Sequence, residues 1–313
     1  MNFIHVLRAG LLTTVQDPGR PGFGSIGVSP SGAADPISLR LGNRLVVNLE
    51  SAAALEMTLL GGTYRFSRDA VVALTGSDFG ATLDGEALEL DASIEVRAAQ
   101  TVRVGPTRSG ARCYLCVHGG IVVPTFLGSA STHVLSCLGG YEGRPLQDGD
   151  VLQIGPATEP FRKRKIAPNV ADLLVPRKIL RVTAGPQSDW FSESSRRLLY
   201  SATYRVGEQS DRMGLRLEGP SISERRSRAM VTEGVSLGAI QVPPAGLPII
   251  LFVDQQTTGG YPKIANVIAA DLHHLGQLRP RDEIRFELVT WQTARSILIE
   301  REKLLASAEA IVE

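Results

Sequence analysis

Apolar residues in the first half of the chain come in short runs that are separated by turn-forming residues. The runs carry β-branched residues and are bounded by Gly, Pro or Asp, a pattern typical of β-strands. The Asp84-Gly85 pair between Ala81–Leu83 and Ala87–Leu90 indicates a tight hairpin turn. The other predicted strands of this half are Val71–Thr75, Ser93–Val96, Thr101–Val104, Arg112–Val117 and Asp150–Ile154.

One segment of this half has the apolar spacing of a helix instead. Ile37, Leu41 and Leu45 form a stripe along one face of a helix. Asp35 is suited to cap the N-terminus of this helix, and Pro36 is suited to its first position. The pattern therefore predicts a helix that begins at Pro36.

The second half mixes predicted strands and helices. Strands are predicted at Lys178–Thr183, Ile249–Val253 and Glu283–Val289, and helices at Asp189–Leu199, Ile264–Leu275 and Trp291–Ile311. The last helix has Leu298, Leu304 and Leu305 among many charged residues, so we expect it to lie at the surface.

The segment Gly155–Arg177 separates the halves and is predicted to be a linker. It contains Pro residues and the basic run Arg162–Lys165, which we interpret as solvated. The halves resemble each other weakly, since Leu146–Ile154 and Leu278–Phe286 each place a turn with an acid before a closing strand. We therefore expect a mainly β fold with a few helices. An N-terminal β-barrel-like domain would cover residues 1–156, a linker 157–177 and a C-terminal barrel domain 178–313.

Composition and charge narrow the possible partners. The 313 residues include 33 Lys and Arg against 32 Asp and Glu, which gives a formal net charge of +1. A nucleic-acid partner is therefore not expected. The start of the chain lacks the apolar core of a signal peptide, and no apolar run reaches the roughly 18 residues of a membrane span. We expect a cytoplasmic protein that does not associate with membranes.

The cysteines and histidines do not predict a metal or redox site. Cys113 and Cys116 fall in one predicted strand, where an odd separation places them on opposite faces, and no second C-x2-C follows. His133, His273 and His274 lack metal-ligand spacing such as HExxH, and neighbouring histidines of a helix cannot both face one ligand. No metal site is predicted, and these residues are assigned to the core or the surface.

Gly-rich blocks with polar residues stand out from this β-rich background. They lie in Asp17–Asp35, Gly119–Arg144, Ser210–Leu217 and Thr232–Ala265. Within the last two, the sequence contains the blocks DRMG (Asp211–Gly214), GAIQVP (Gly238–Pro243) and QTTGGYPKIA (Gln256–Ala265). These blocks, with the Asn43–Leu45 segment, resemble one family. It includes allophanate hydrolase subunit 2, KipA, the C component of 5-oxoprolinase and the carboxyltransferase domain of urea carboxylase.

The resemblance covers nearly the whole chain and implies two domains of cyclophilin-like β-barrel architecture. It also implies a small amide as substrate, which is urea in one branch and 5-oxoproline in another. Three positions depart from the family pattern. Ala130 and Gln255 replace a usual Arg, and Val122 replaces a frequent Asp. An anion site carried over from the family is therefore less well supported at the first two positions.

Lys263 and Asp254 are the predicted catalytic residues. Lys263 follows Gly-Gly-Tyr-Pro and precedes a predicted helix, where an ammonium group can hold a carboxylate or a developing oxyanion. Asp254 ends the predicted strand Ile249–Val253, and acids at strand ends often line sites, although they also start turns. Asp17 and Arg20 are interpreted as a pair that holds a loop.

The predicted substrate-binding residues are Arg212, Gln241, Tyr261, Gly259 and Gly260. Gln241 lies between apolar residues, where its amide either binds an amide substrate or satisfies backbone groups. Arg212 either clamps an anion or forms a structural salt bridge with Asp211. Tyr261 and the two glycines belong to the QTTGGYPKIA block.

The sequence has neither a P-loop nor a Met-Lys-Met biotin-attachment motif, so ATP or carboxybiotin would have to come from other chains. The resemblance implies the C component of an ATP-dependent 5-oxoprolinase, a hydrolase assembly that converts 5-oxo-L-proline to L-glutamate. The implied partners are the A and B components, the KipI-like B component most directly. We expect ATP to be used by the complex, no cofactor to be held by this chain, and the chain to be inactive alone.

Two alternatives stay open. One is the carboxyltransferase component of a biotin-dependent urea or amide carboxylase, which would use biotin. The other is a KipA-like regulatory protein that binds a kinase inhibitor. The length of the chain favours the oxoprolinase component over a domain embedded in a much longer protein.

Overall fold

The computed structural model describes residues 2–157, 160–223 and 230–313. The chain divides into two compact units. The first consists of Met1–Arg20, Ser31–Pro176 and Leu305–Glu313, and the second of Pro21–Pro30 and Arg177–Leu304. The domain boundaries at residues 156 and 178 stay a prediction, and the last residues of the chain belong to the first unit.

The first unit is built mainly from antiparallel strands in two sheets. The larger sheet has the order β11-β12-β1-β4-β9-β6-β7, and the smaller has the order β2-β3-β10-β5-β8. The strands are β1 (Asn2–Arg8), β2 (Leu12–Gln16), β3 (Ala54–Thr58), β4 (Thr63–Phe66), β5 (Ala70–Gly76), β6 (Thr82–Leu83), β7 (Glu86–Ala87), β8 (Ser93–Val96), β9 (Thr101–Arg103), β10 (Arg112–Val117), β11 (Ile121–Val122), β12 (Val151–Ile154) and β13 (Lys165–Ile166).

Both sheets contribute to one apolar core in this unit. Ile4 and Tyr64 of the larger sheet share a buried cluster with Leu55 and Leu115 of the smaller one. Strand β10 is buried along its whole length between β3 and β5, which confirms the strand predicted there. The predicted hairpin is also confirmed, because β6 pairs with β7. Asp84 and Gly85 both have positive φ at its turn, as a type I′ turn requires.

Helix α1 (Pro36–Leu45) begins where the sequence predicts. The side chain of Asp35 accepts hydrogen bonds from the backbone N–H groups of Ile37 (3.2 Å) and Ser38 (3.0 Å), so it caps the helix. The helix packs on β5 and β10. Gly42 permits this close approach, since a Cβ at that position would lie 2.6 Å from Sγ of Cys116.

The second unit contains a closed barrel with the order β14-β21-β18-β19-β16-β15-β22. Strands β14 and β22 close the barrel in parallel, and its other neighbours are antiparallel. The strands are β14 (Ile179–Ala184), β15 (Tyr204–Val206), β16 (Gly214–Glu218), β17 (Glu233–Gly234), β18 (Ala239–Gln241), β19 (Ile249–Leu251), β20 (Thr258–Gly259), β21 (Lys263–Val267) and β22 (Glu283–Leu288). The predicted mainly β class with a barrel is confirmed.

The helix predicted over Ile264–Leu275 is wrong for its first four residues. Residues Lys263–Val267 form strand β21, which pairs with β14 on one side and β18 on the other. The run is nearly all buried, and a short buried strand cannot be told from a helix by apolar spacing alone. Only Leu272–Leu275 is α-helical.

The remaining regular structure includes part of the predicted linker. Within that segment, β13 pairs with β23 (Ile311–Val312), so Lys165 lies opposite Val312 in the first unit. The other helices are α2 (Pro168–Leu174), α3 (Glu193–Ser201), α4 (Leu272–Leu275) and α5 (Trp291–Ala306), with 3-10 turns at Gly24–Ile26, Val134–Ser136, Ser188–Trp190, Ala269–Asp271 and Ala308–Ala310. In the part of the chain that the structure describes, no helix combines the length and apolarity needed to cross a bilayer.

Candidate functional site

Lys263 is the first residue of strand β21, and its side chain is buried inside the second unit. Its side chain is only 4% exposed, although its Nζ carries a charge. The counter-ion is Glu233, whose Oε1 lies 2.5 Å from Nζ and whose side chain is 45% exposed. The sequence predicts that Lys263 precedes a helix, and this prediction is wrong, because Lys263 begins a strand. Strand pairing sets its position, and its ammonium group lies against a carboxylate from another strand.

Gln187 joins this ion pair from the turn after β14. Its Nε2 donates to the same Oε1 of Glu233 at 2.9 Å, and its Oε1 accepts from the backbone N–H of Lys263 at 3.1 Å. The backbone N–H of Gln187 donates in turn to the carbonyl of Lys263. One carboxylate oxygen of Glu233 thus contacts two nitrogens, the ammonium of Lys263 in an ion pair and the amide of Gln187 in a hydrogen bond. Sequence reasoning missed Gln187 and Glu233, since neither lies in a recognisable spacing with Lys263.

Hydrogen bonds from Lys263 and Gln187 lower the pKa of Glu233, with Lys263 contributing most. Glu233 is therefore anionic near neutral pH. The carboxylate end of this pair is exposed to solvent, whereas its ammonium end is buried and depends on Glu233 for compensation.

Gln241 is the last residue of β18 and lies opposite Lys263 in the neighbouring strand. Residues that lie opposite each other in an antiparallel pair project to the same face, with Cβ atoms about 4.5–5.5 Å apart. The side chain of Gln241 is buried, and no atom among the described residues accepts a hydrogen bond from its Nε2. The Gln241 amide therefore brings a third nitrogen donor to the face that carries Lys263.

Gly259 lies against this amide. A Cβ at position 259 would be 2.5 Å from Nε2 of Gln241 and 3.1 Å from Cγ1 of Val235, so glycine provides the space that the amide occupies. Gly259 also pairs with Glu233 in the two-stranded ribbon formed by β17 and β20. The predicted residues Lys263, Gln241 and Gly259 are thus brought together, with Glu233 and Gln187 added to them.

Arg212 and Asp254 form a second, separate feature. Nε of Arg212 donates to Oδ2 of Asp254 at 2.7 Å and Nη2 donates to Oδ1 at 3.3 Å, and both side chains are buried. The partner of Arg212 is therefore Asp254. Asp211 instead accepts from the backbone N–H groups of Met213 and Gly214 and so holds the turn.

The two features lie at opposite ends of β19. Gln241 pairs with Ile249, the first residue of that strand. The backbone N–H of Asp254 donates to the carbonyl of Arg212 beyond Leu251, the last residue of the strand. The structure therefore separates the predicted site residues into an ammonium–amide cluster and a buried ion pair.

The other predicted residues contribute less to either feature. Tyr261 lies between β20 and β21 with its side chain 44% exposed. Gly260 is exposed, and the nearest atom to a Cβ there would be Oγ1 of Thr232 at 3.5 Å, an ordinary contact. Their roles in substrate binding stay predictions.

Asp17 and Arg20 hold a loop in the first unit, as interpreted from the sequence. The carboxylate of Asp17 accepts from the hydroxyls of Ser129 and Ser131 and from the backbone N–H of Ala130, all at 2.6 Å. Arg20 donates to the carbonyls of Phe126 and Ser131. Both residues therefore fix the segment that contains Ala130.

His273 and His274 are both buried in the second unit. Their rings lie 3.8 Å apart between centroids. Burial, with smaller contributions from His273 and nearby arginines, lowers the pKa of His274 to about 2. His274 is therefore neutral at physiological pH, and both histidines lie in the core, one of the two locations assigned to them from the sequence.

Comparisons with known proteins identify the family of this chain. The family description "Carboxyltransferase domain, subdomain A and B" matches residues 26–288. The C component of the 5-oxoprolinase of Escherichia coli is 41% identical over 90% of this chain and 90% of its own length. The protein of the same name from Haemophilus influenzae is 37% identical over 99% of both.

A solved structure is also similar along the chain. The urea carboxylase of Kluyveromyces lactis superimposes with a TM-score of 0.90 and is 33% identical. The match covers 99% of this chain but only 30% of that protein. The chain therefore resembles one part of a longer enzyme and the whole of a shorter component.

Proposed function

The chain belongs to the family of the carboxyltransferase domain, subdomains A and B, and we propose on that basis that it is the C component of an ATP-dependent 5-oxoprolinase. The observation that carries the proposal is the sequence identity of 41% and 37% with two proteins of that name, over 90% or more of this chain. The reaction would be the opening of 5-oxo-L-proline to L-glutamate. The site of action would be cytoplasmic.

The division of labour follows from the chemistry. A lactam is a stable amide, so its carbonyl has to be activated before water can attack it. Transfer of a phosphoryl group from ATP to the amide oxygen would provide that activation. The sequence contains no P-loop, so partner components of types A and B would handle ATP, and this chain would bind the lactam. Lactam and phosphoryl donor would then have to meet within about 3–3.5 Å.

The ammonium–amide cluster suits the lactam better than the buried ion pair does. The Lys263 ammonium can bind the carboxylate of 5-oxoproline, and the Gln241 amide can donate to its ring carbonyl. The charge of Arg212 is already balanced by Asp254 at 2.7 Å. Asp254 is still proposed to act in catalysis, with Arg212 as the residue that positions its carboxylate.

A second candidate is the carboxyltransferase component of a urea carboxylase. It is favoured by the TM-score of 0.90 against the Kluyveromyces lactis enzyme. In that case another chain would have to deliver carboxybiotin, and urea would take the place of the lactam. The identity of 33%, against 41% and 37% for the two 5-oxoprolinase components, makes this the weaker candidate.

The test is an assay of this chain reconstituted with the companion A and B components. We expect formation of ADP and glutamate with 5-oxo-L-proline, but no ADP formation with urea or with this chain alone. Lys263→Met should abolish turnover. Lys178→Met, at a lysine that is 58% exposed, is the matched control and should not change it. ATP turnover stimulated by urea and dependent on biotin would instead support the second candidate.

A further inference from the structure

Glu233 is an exposed residue that forms an ion pair with the buried ammonium group of Lys263. An exposed glutamate would be well solvated without a partner, whereas a buried ammonium cannot be left uncompensated. Here the exposed residue supplies the charge that the buried one needs, and it does so at 2.5 Å. The Glu233 carboxylate is therefore placed as a bound ligand would be, since it reaches from the surface to the buried ammonium of Lys263.

We propose that Lys263, Gln187 and Gln241 form a subsite for a small carboxylate ligand, and that Glu233 fills this subsite as an internal competitor. The proposal rests on the proposed function and deepens it, because it names the carboxylate of the substrate as the group recognised and adds a residue that regulates access.

The donors match a carboxylate. Nζ of Lys263 and Nε2 of Gln187 both reach Oε1 of Glu233, at 2.5 Å and 2.9 Å. A hydrogen bond between a carboxylate and a charged donor is roughly twice as strong as one between neutral groups, so the ammonium of Lys263 favours a carboxylate over a neutral ligand. Gln241 adds a buried Nε2 on the same strand face, with no acceptor among the described residues. That third donor is available to a ligand that brings a second oxygen.

The competitor is carried on a small ribbon. Strand β17 holds Glu233 and pairs with β20 through only two residues on each side, with one further backbone bond from Val235 to Thr257. Among the described residues, displacing the ribbon therefore breaks few backbone hydrogen bonds.

This arrangement has a quantitative consequence. A ligand carboxylate binds only the fraction of molecules in which Glu233 has left Lys263, so its apparent Kd rises in inverse proportion to that fraction. If Glu233 occupies the subsite about 90% of the time, its removal lowers the apparent Kd about tenfold. A neutral ligand of the same shape gains no such benefit, because it does not need the ammonium group.

The experiment is isothermal calorimetry on the full isolated chain. The probes are 5-oxo-L-proline, acetate, and 2-pyrrolidinone, which has the same ring without the carboxylate. In Glu233→Gln we expect the Kd for both carboxylates to fall about tenfold or more, and the Kd for 2-pyrrolidinone to stay unchanged. Glu218→Gln, at a glutamate that is 57% exposed beside Arg205, is the matched control and should behave as the wild type.

Two further variants show whether the gain depends on the subsite. Lys263→Met and Gln187→Leu, each combined with Glu233→Gln, should remove the gain, and a thermal melt establishes that each variant is folded. An equal gain in the absence of Lys263 and Gln187, or no gain in Glu233→Gln, would overturn the proposal. Because these are binding measurements on one chain, a carboxylate gain would stand even if the reconstituted assembly failed to turn over 5-oxoproline.

Discussion

The side-chain amide of Gln241 occupies the space that a Cβ of Gly259 would need. The distance from that Cβ to Nε2 would be 2.5 Å, well below contact. Gly259→Ala should therefore push the amide out of place. Since Nε2 is the flexible end of its side chain, we expect a loss of about 1 kcal/mol in the free energy of unfolding. The affinity for 5-oxo-L-proline should fall about tenfold, which corresponds to one lost hydrogen bond.

The matched control is the next residue. Gly260→Ala places its Cβ 3.5 Å from Oγ1 of Thr232, and neither glycine has a positive φ. We expect Gly260→Ala to change the free energy of unfolding by less than about 0.5 kcal/mol. Calorimetric titration of both variants with 5-oxo-L-proline tests the predicted loss of affinity. Equal affinities of Gly259→Ala and Gly260→Ala would show that the Gln241 amide does not contact the ligand.

The buried pair of Arg212 and Asp254 should contribute strongly to stability. Its guanidinium and carboxylate are 8% and 5% exposed, so removal of one partner leaves a buried charge. We expect Arg212→Met to lower the free energy of unfolding by about 3–5 kcal/mol in urea titrations. Arg205→Met, at an exposed pair with Glu218, should cost less than about 1 kcal/mol.

A double variant separates stability from function in this pair. Arg212→Met combined with Asp254→Leu removes both charges and should recover much of the lost stability. If the double variant is as unstable as the single one, packing of the Arg212 stem, and not its charge, is what matters. Loss of turnover in Arg212→Met alone would not demonstrate that Arg212 binds substrate.

Asp91 in the first unit should make stability depend on pH. Burial, with a smaller contribution from the nearby Asp35, raises the pKa of Asp91 from 3.8 to about 7. The folded state therefore holds a proton that the unfolded state releases above pH 4, so stability falls as pH rises from about 4 to 7. Asp91→Asn should remove this penalty and raise the free energy of unfolding at pH 8 by up to about 4 kcal/mol.

Urea unfolding at pH 4.5, 6 and 8 measures the effect. Asp91 has a φ of 59°, which asparagine tolerates, so the substitution should not strain the backbone. Asp84→Asn controls for the backbone, because Asp84 also has a positive φ but is exposed. A stability gain for Asp91→Asn that is the same at all three pH values would argue against the ionisation of Asp91 as its cause.

The three cysteines should differ in reactivity. Cys113 and Cys116 are buried, and burial raises the pKa of both thiols, whereas Cys137 is exposed. Since the thiolate is the reactive form, we expect a thiol reagent to modify Cys137 alone in the native chain and all three in urea. The Cys137→Ser variant should show no fast reaction, and rapid native labelling of that variant would mean that β10 opens readily.

Local signals in the sequence determined the elements that depend on neighbouring residues. Asp35 and Pro36 fixed the start of α1, because a cap acts on N–H groups two and three residues away. Asp84 and Gly85 determined the hairpin turn, because both residue types tolerate the positive φ that such a turn requires. The motif blocks identified the family. They also contain Lys263, Gln241 and Gly259, three of the residues that cluster in the second unit.

The tertiary structure decided what depends on strand register. Lys263 became a strand residue because β14 and β18 satisfy the backbone groups of β21 on both sides, which no local pattern reveals. Gln187 and Glu233 lie 46 residues apart, so only the ribbon and the barrel turn bring them to one ammonium group. Arg212 forms its ion pair with Asp254, 42 residues away, and not with its neighbour Asp211. Contacts between distant strands depend on how the whole barrel closes, and the spacing of residues along the chain does not contain that information.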